Sequence, residues 1–219
     1  MCGRFTLTAN AEAIQAAFNV QTINAELLPR YNIAPTQPVA VVLSNGERHL
    51  EMFRWGLIPF WAKDPAIGNR MINARAETVA EKPSFKTPLK HKRCLVVSDG
   101  FYEWRKEESG KTPMYIRLAS GEPFAFAGLW DTWSKQDEPL NSCTIITTAP
   151  NEFMAPIHNR MPAILTPEAI DVWLDPSETN PERLLPLLRP YPPESMTAHA
   201  VSRLVNSPAN DVPACIEPA

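Results

Sequence analysis

Val39-Ala40-Val41-Val42-Leu43-Ser44-Asn45-Gly46-Glu47-Arg48-His49-Leu50-Glu51-Met52-Phe53-Arg54-Trp55 decides the fold. Two β-prone flanks, Val39 to Leu43 and His49 to Trp55, surround Asn45-Gly46, the dipeptide that best tolerates the positive φ angles of a two-residue type I′ turn. The stretch predicts a hairpin. Further along, the same β-rich composition recurs at Cys94 to Val97, Phe101 to Arg105, Met114 to Leu118, Phe124 to Trp130 and Cys143 to Thr148, with Ser109-Gly110 and Ser120-Gly121 as turns. Short strands in this number predict a curved, barrel-like antiparallel sheet. Helices are expected at Ala11 to Phe18 behind an Asn10 cap, around Ala76 to Glu81, at Pro167 to Leu174 behind Thr166, and at Pro181 to Leu187 behind Asn180. The fold class is therefore α+β, mainly antiparallel β with short peripheral helices, in one domain over residues 1–219. The chain carries 23 prolines spread along its length, which keeps helices short, and Asp175 to Glu194 is polar and proline-rich enough to be a peripheral excursion.

Composition narrows the function. Apolar residues make up 44% and charged residues 21%, ordinary globular usage. The longest apolar runs fall far short of the roughly 20 residues that span a bilayer, so no membrane association is expected. The first residues, Met1-Cys2-Gly3-Arg4-Phe5-Thr6, lack the features of a secretory signal, and the expected location is cytoplasmic, or a nucleoid or nucleus reached from the cytosol. Cys2, Cys94, Cys143 and Cys215 are far apart and read as reduced thiols. Net charge is −3, so any nucleic-acid surface must be a local patch. His49, His91, His158 and His199 show no short ligand spacing, and glycine-rich nucleotide loops are absent, so no metal and no other cofactor is expected.

Four residues stand out chemically. Cys2, once Met1 is trimmed, presents a free α-amine and a thiol on adjacent carbons, a 1,2-aminothiol that condenses with an aldehyde and then closes a thiazolidine ring. An α-amine titrates near pH 7.7–8.0 and is partly neutral where a lysine is not. By position alone, Cys2 reads first as an incidental small residue after a start codon, and other residues must decide. Asn73 and Arg75, in Met71-Ile72-Asn73-Ala74-Arg75-Ala76-Glu77-Thr78, suit a turn that presents an amide and a guanidinium together; they also suit an ordinary Asn turn with a surface Arg–Glu pair. Glu103 lies in an aromatic strand, where burial would raise its pKa into the range of a proton carrier, or where period-two alternation would turn it to solvent. His158, in the loop Pro156-Ile157-His158-Asn159-Arg160-Met161-Pro162, is a candidate proton shuttle beside Arg160. Arginines and aromatics interleave at Arg4, Arg30-Tyr31-Asn32, Trp55, Phe60-Trp61, Arg70, Arg75, Lys90 to Arg93, Trp104 and Arg160, the mixture by which single-stranded nucleic acid is gripped and stacked; most of the six tryptophans also suit the core.

Met-Cys-Gly-Arg-Phe at residues 1–5, Arg-Tyr-Asn-Ile-Ala-Pro-Thr at 30–36, Phe-Arg-Trp-Gly-Leu-Ile-Pro at 53–59, Ile-Asn-Ala-Arg-Ala-Glu-Thr at 72–78, Asp-Gly-Phe-Tyr-Glu-Trp at 99–104, Thr-Thr-Ala-Pro-Asn at 147–151 and Ile-His-Asn-Arg-Met-Pro at 157–162 resemble the SRAP (SOS-response-associated peptidase) family in order and across the chain. The resemblance implies a β-barrel-like domain that crosslinks to abasic sites in single-stranded DNA as a monomer. It implies Cys2 as nucleophile, Asn73 as the residue positioning amine and sugar, and Glu103 with His158 as the acid–base pair. It further implies Arg4, Asn32, Arg75 and Arg160 along the DNA groove, with Trp55, Phe60 and Trp61 as a wedge, and the interleaved Trp104 is a further candidate DNA contact. A thiol peptidase, acting in cis to remove Met1 or on other substrates, and a non-catalytic single-strand binder are the other functions open to this sequence.

Overall fold

A computed structural model describes residues 2–108 and 110–219. The strands are β1 (Phe5–Leu7), β2 (Thr22–Ile23), β3 (Arg30–Ile33), β4 (Pro38–Ser44), β5 (Arg48–Trp55), β6 (Asn73–Arg75), β7 (Arg93–Ser98), β8 (Gly100–Glu107), β9 (Gly110–Leu118), β10 (Phe124–Trp133), β11 (Leu140–Thr148), β12 (Met161–Pro162) and β13 (Met196–Ala200). The α-helices are α1 (Ala11–Phe18), α2 (Pro83–His91), α3 (Pro167–Leu174) and α4 (Pro181–Leu184).

Strands β11, β10, β7, β4 and β5 pair in succession antiparallel, and β5 then returns to β11 in parallel through Arg54–Ser142 and Trp55–Cys143. This closes a five-stranded barrel, the all-β solution that leaves no bare edge around the ring. The expectation of a barrel with peripheral helices holds. A second sheet, in the order β13-β9-β8-β1-β3, is bound to the barrel by aromatics: the Phe5 ring lies 5.1 Å from Trp55 and 5.7 Å from Phe126, both edge-on. Such T-shaped contacts suit the ring quadrupoles.

The central hairpin forms, but not with the expected turn. Ser44 pairs with Arg48, so the loop is Asn45 to Glu47; Gly46 alone takes a positive φ, of 112°, while Asn45 uses its Oδ1 to accept from Glu47 N at 3.4 Å. Helix α1 matches its predicted bounds, with Asn10 Oδ1 accepting from Ala13 N, and α3 begins behind Thr166 as expected. The helix expected around Ala76 to Glu81 is absent. Ala76 N is committed to Thr147 O at 2.9 Å, and the chain runs through turns until Pro83, whose fixed φ suits the first turn of α2. Ser109 of the expected Ser109-Gly110 turn lies outside the described residues.

Candidate active site

The start of the chain is led into the site by a clasp at its first strand. Asp99, between β7 and β8, accepts from Thr6 Oγ1, Thr8 N, Thr8 Oγ1 and Ala9 N. Strand β1 pairs with β8 through Phe5–Phe101 and Thr6–Gly100, and Tyr102 N donates to Arg4 O at 2.9 Å, which carries the pairing one residue further. Residues 2 and 3 are thereby brought alongside Glu103. The Cys2 side chain is fully buried. Burial first, and the nearby Glu103 carboxylate second, push its thiol far above the ordinary value, against the pull of a hydrogen bond from the Arg4 backbone. Removal of Met1, expected from the sequence, concerns a residue outside the described ones.

Glu103 does not alternate out to solvent. Phe101, Tyr102 and Glu103 are all buried, because the second sheet is covered on both faces at this point. Loss of hydration penalises the carboxylate, and its pKa is pushed up to about 7. His158 Nε2 stands 3.8 Å from Glu103 Oε2. The Arg160 backbone brackets His158 Nδ1, with its N at 3.1 Å and its carbonyl oxygen at 3.2 Å, so the neutral ring can meet it in either tautomer, and Nε2 faces Glu103. Burial also lowers the pKa of His158, which favours that neutral form.

Asn73 and Arg75 sit on a strand rather than the expected turn. Strand β6 pairs in parallel with β11, Asn73 opposite Ile145 and Arg75 opposite Thr147; alternation puts both on one face with Ala74 buried on the other. Asn73 Nδ2 donates to Cys2 O at 2.8 Å. Its Oδ1 is buried and has no hydrogen-bond partner among the described residues. Arg75 is exposed, while the expected local Arg–Glu pair is replaced by a longer one: Glu77 takes the Arg160 guanidinium in a two-pronged grip, with Arg160 also donating to Thr147 O at 2.7 Å. Cys2, Asn73, Glu103 and His158, from four separate segments, thus meet in one place.

The expected groove residues divide. Phe60 and Trp61 are 60% and 44% exposed. Trp104 is half-buried, donates to Asn206 Oδ1 at 2.8 Å and lies under the Arg4 guanidinium. Asn32 is wholly buried: its amide donates to Val205 O, Ser207 O and Asn210 O and its oxygen accepts from Arg4, so it ties down the C-terminal segment beneath the surface. Trp55 is likewise fully buried, packed edge-on against Phe5 with its Nε1 donating to Ile72 O, and so is core where the resemblance implied part of a wedge. In the basic run Lys90 to Arg93, the buried Arg93 guanidinium caps helix ends by donating to Leu89, Lys90, Trp173 and Asp175 carbonyls, which removes it from any groove. The Asp99 clasp and the pairing of Glu77 with Arg160 are not visible in the sequence although both residues lie in quoted motifs, because their partners lie about 90 and 80 positions away.

A family model described as SOS response associated peptidase (SRAP) matches residues 1–208. The chain is 50% identical to the abasic site processing protein YoqW of Bacillus subtilis (strain 168), over 99% of this chain and 99% of that protein. It is 38% identical to the abasic site processing protein HMCES of Gallus gallus, over 87% of this chain and 66% of that protein. Among solved structures, a protein from Bacteroides thetaiotaomicron superposes with a TM-score of 0.90 at 33% identity, covering 100% of both chains.

Proposed function

Because this chain belongs to the SOS response associated peptidase (SRAP) family, we propose that it captures abasic sites in single-stranded DNA through a covalent bond to Cys2 after loss of Met1. The observation that carries this reading is the contact of Asn73 Nδ2 with Cys2 O at 2.8 Å beside the Glu103–His158 pair. It supports the reading in that Cys2, the first residue once Met1 is lost, lies beside two titratable side chains suited to carrying protons. The abasic sugar's open-chain form offers an aldehyde, and relatives of this chain carry abasic site processing in their names.

In the proposed reaction the neutral Cys2 amine adds to the aldehyde carbon, and the carbinolamine loses water to give an imine. Glu103, near half ionisation at pH 7, takes a proton from the attacking amine and returns one to the departing hydroxyl. The thiol then adds across the C=N bond: sulfur bonds to the former aldehyde carbon, the thiol proton passes to nitrogen, and the five-membered ring is closed. One water leaves overall. His158 assists opening of the sugar ring, while Asn73, anchored on the Cys2 carbonyl, offers its Oδ1 to the amine or a sugar hydroxyl. Holding amine and aldehyde together replaces a bimolecular encounter. Arg75 and Arg160 supply phosphate contacts on the same face.

A peptidase reading is less well supported. Thiol hydrolases need a low-pKa thiolate paired with a base, whereas the buried Cys2 thiol is shifted the other way and His158 faces Glu103. Denaturing electrophoresis with an abasic oligonucleotide separates the readings: a heat-stable adduct is expected from the native chain, none from Cys2→Ala, and from Cys2→Ser only an imine that borohydride must trap. A stable adduct with Cys2→Ala would refute capture at this residue.

A further inference from the structure

Asp131, on β10, is only 2% exposed and reaches across to the loop between β5 and β6. Its Oδ2 accepts from the Phe60 backbone N–H at 2.8 Å; its Oδ1 accepts from Lys92 Nζ at 2.6 Å, which neutralises the buried charge. Beyond Phe60-Trp61 the same strand grips again. Trp133 Nε1 donates to Ala62 O at 2.8 Å, and Ala62 N closes the turn on Pro59 O at 2.9 Å. The backbone is thus held on both sides of two aromatic side chains that nevertheless remain 60% and 44% exposed. Loop aromatics left to themselves fold onto apolar surface, gaining about 25 cal/mol for each Å² removed from water; here the backbone grip keeps them out.

This loop is continuous with the candidate active site. Its base is pinched where Gly56 and Gly68 cross, and a Cβ on either would come within 2.6 Å of the other's carbonyl oxygen. At its far end Ile72 O accepts from Trp55 Nε1, and the next residue is Asn73, bonded to Cys2. A rigid, exposed Phe-Trp pair joined this closely to a DNA-capturing site has the chemistry of a surface for stacking bases.

We infer that Asp131 is a positioning residue that fixes Phe60 and Trp61 as a stacking ledge for the nucleobase next to the captured lesion. The inference rests on the proposed capture of abasic DNA. Capture rates are measured against concentration for three single-stranded oligonucleotides: one with purines on both sides of the lesion, and two with a base-free tetrahydrofuran spacer on its 5′ or 3′ side. For the native protein, the half-saturating concentration rises at least about fivefold for one spacer, as loss of a base–aromatic stack requires, while the rate at saturation is unchanged. Asp131→Ser and Asp131→Ala remove that discrimination and keep the saturated rate within about twofold, and Phe60→Ala likewise removes the discrimination. Undiminished discrimination in the Asp131 variants, or none in the native protein, overturns the inference. So does unfolding of both Asp131 variants in a thermal melt, since the fold rather than the ledge would then depend on Asp131. If the native protein captures none of the three, the capture reading fails instead.

Discussion

The side-chain amide of Asn73 donates to the backbone carbonyl of Cys2 across a separation of 71 residues, at 2.8 Å. The bond joins the parallel pair β6–β11 to the start of the chain, and it orients the residue whose adjacent carbons bear the amine and the thiol of the proposed aminothiol. Asn73→Ala is expected to slow covalent capture by roughly 10-fold or more, the cost of about 1.4 kcal/mol of lost orientation, with little change in DNA affinity. Single-turnover rates at saturating abasic oligonucleotide check this; an unchanged rate would remove Asn73 from the reaction.

Glu103 gives a pH signature. With its pKa pushed up to about 7 by burial, the group is protonated in mildly acidic solution and cannot accept the amine's proton, so capture slows as pH falls through 7. The free α-amine adds a second decline below about 8. Glu103→Gln is expected to capture slowly at all pH values and to lose the inflection near 7 while keeping the amine's. A variant profile that superposes on the native one would contradict the assignment.

The same group predicts a stability effect of opposite sense. A carboxyl whose folded pKa is raised binds its proton more tightly in the native state, so the native protein loses stability as pH rises from about 4.5 to about 7. Glu103→Gln lacks this titration. Its stability relative to the native protein should therefore grow across that window, by on the order of 2–3 kcal/mol, in urea unfolding at pH 4.5 and 7.5. A difference that stays flat would mean that the carboxyl is not desolvated.

Asp99 predicts a structural loss with a functional consequence. It serves four donors on the Thr6–Ala9 segment, one buried and three part-buried, and Asp99→Ala should cost roughly 2–4 kcal/mol, since all four lose their acceptor. Hydrogen exchange should then increase first in β1. Exchange confined to other strands would argue against the clasp.

Thr36 predicts a gain. It occupies the third position of the turn Ala34–Gln37 at φ 74°, where a β-branched residue is strained, and its side chain is exposed. Thr36→Gly relieves about 1–2 kcal/mol of left-handed strain against a smaller loss of unfolded-state restriction, and the urea midpoint should rise. A lower midpoint would show that the Thr36 side chain contributes to the fold.

The barrel strands and α1 were legible because each depends on local signals: β-rich runs, an Asn10 cap and Ser-Gly or Asn-Gly turns. Strand β6 was not, since Asn73–Arg75 has no strand periodicity of its own and extends only because β11 offers it a parallel partner. Residues 76–81 carry helix-forming Ala and Glu, yet Ala76 N is claimed by Thr147 O. In the site, Cys2, Asn73, Glu103 and His158 were singled out by residue type and family resemblance, but their convergence is tertiary. Trp55 and Asn32 show the reverse limit: an aromatic or amide inside a recognisable motif says nothing about burial, and both are wholly enclosed.

The central claim is tested most directly by intact mass spectrometry of the purified protein before and after incubation with an abasic single-stranded oligonucleotide. The account predicts a chain lacking Met1 that gains the mass of one oligonucleotide less one water, with the modification mapping to Cys2 and surviving heat without reduction. A chain that retains Met1 and still acquires the stable adduct, or an adduct that maps to another residue, would contradict it.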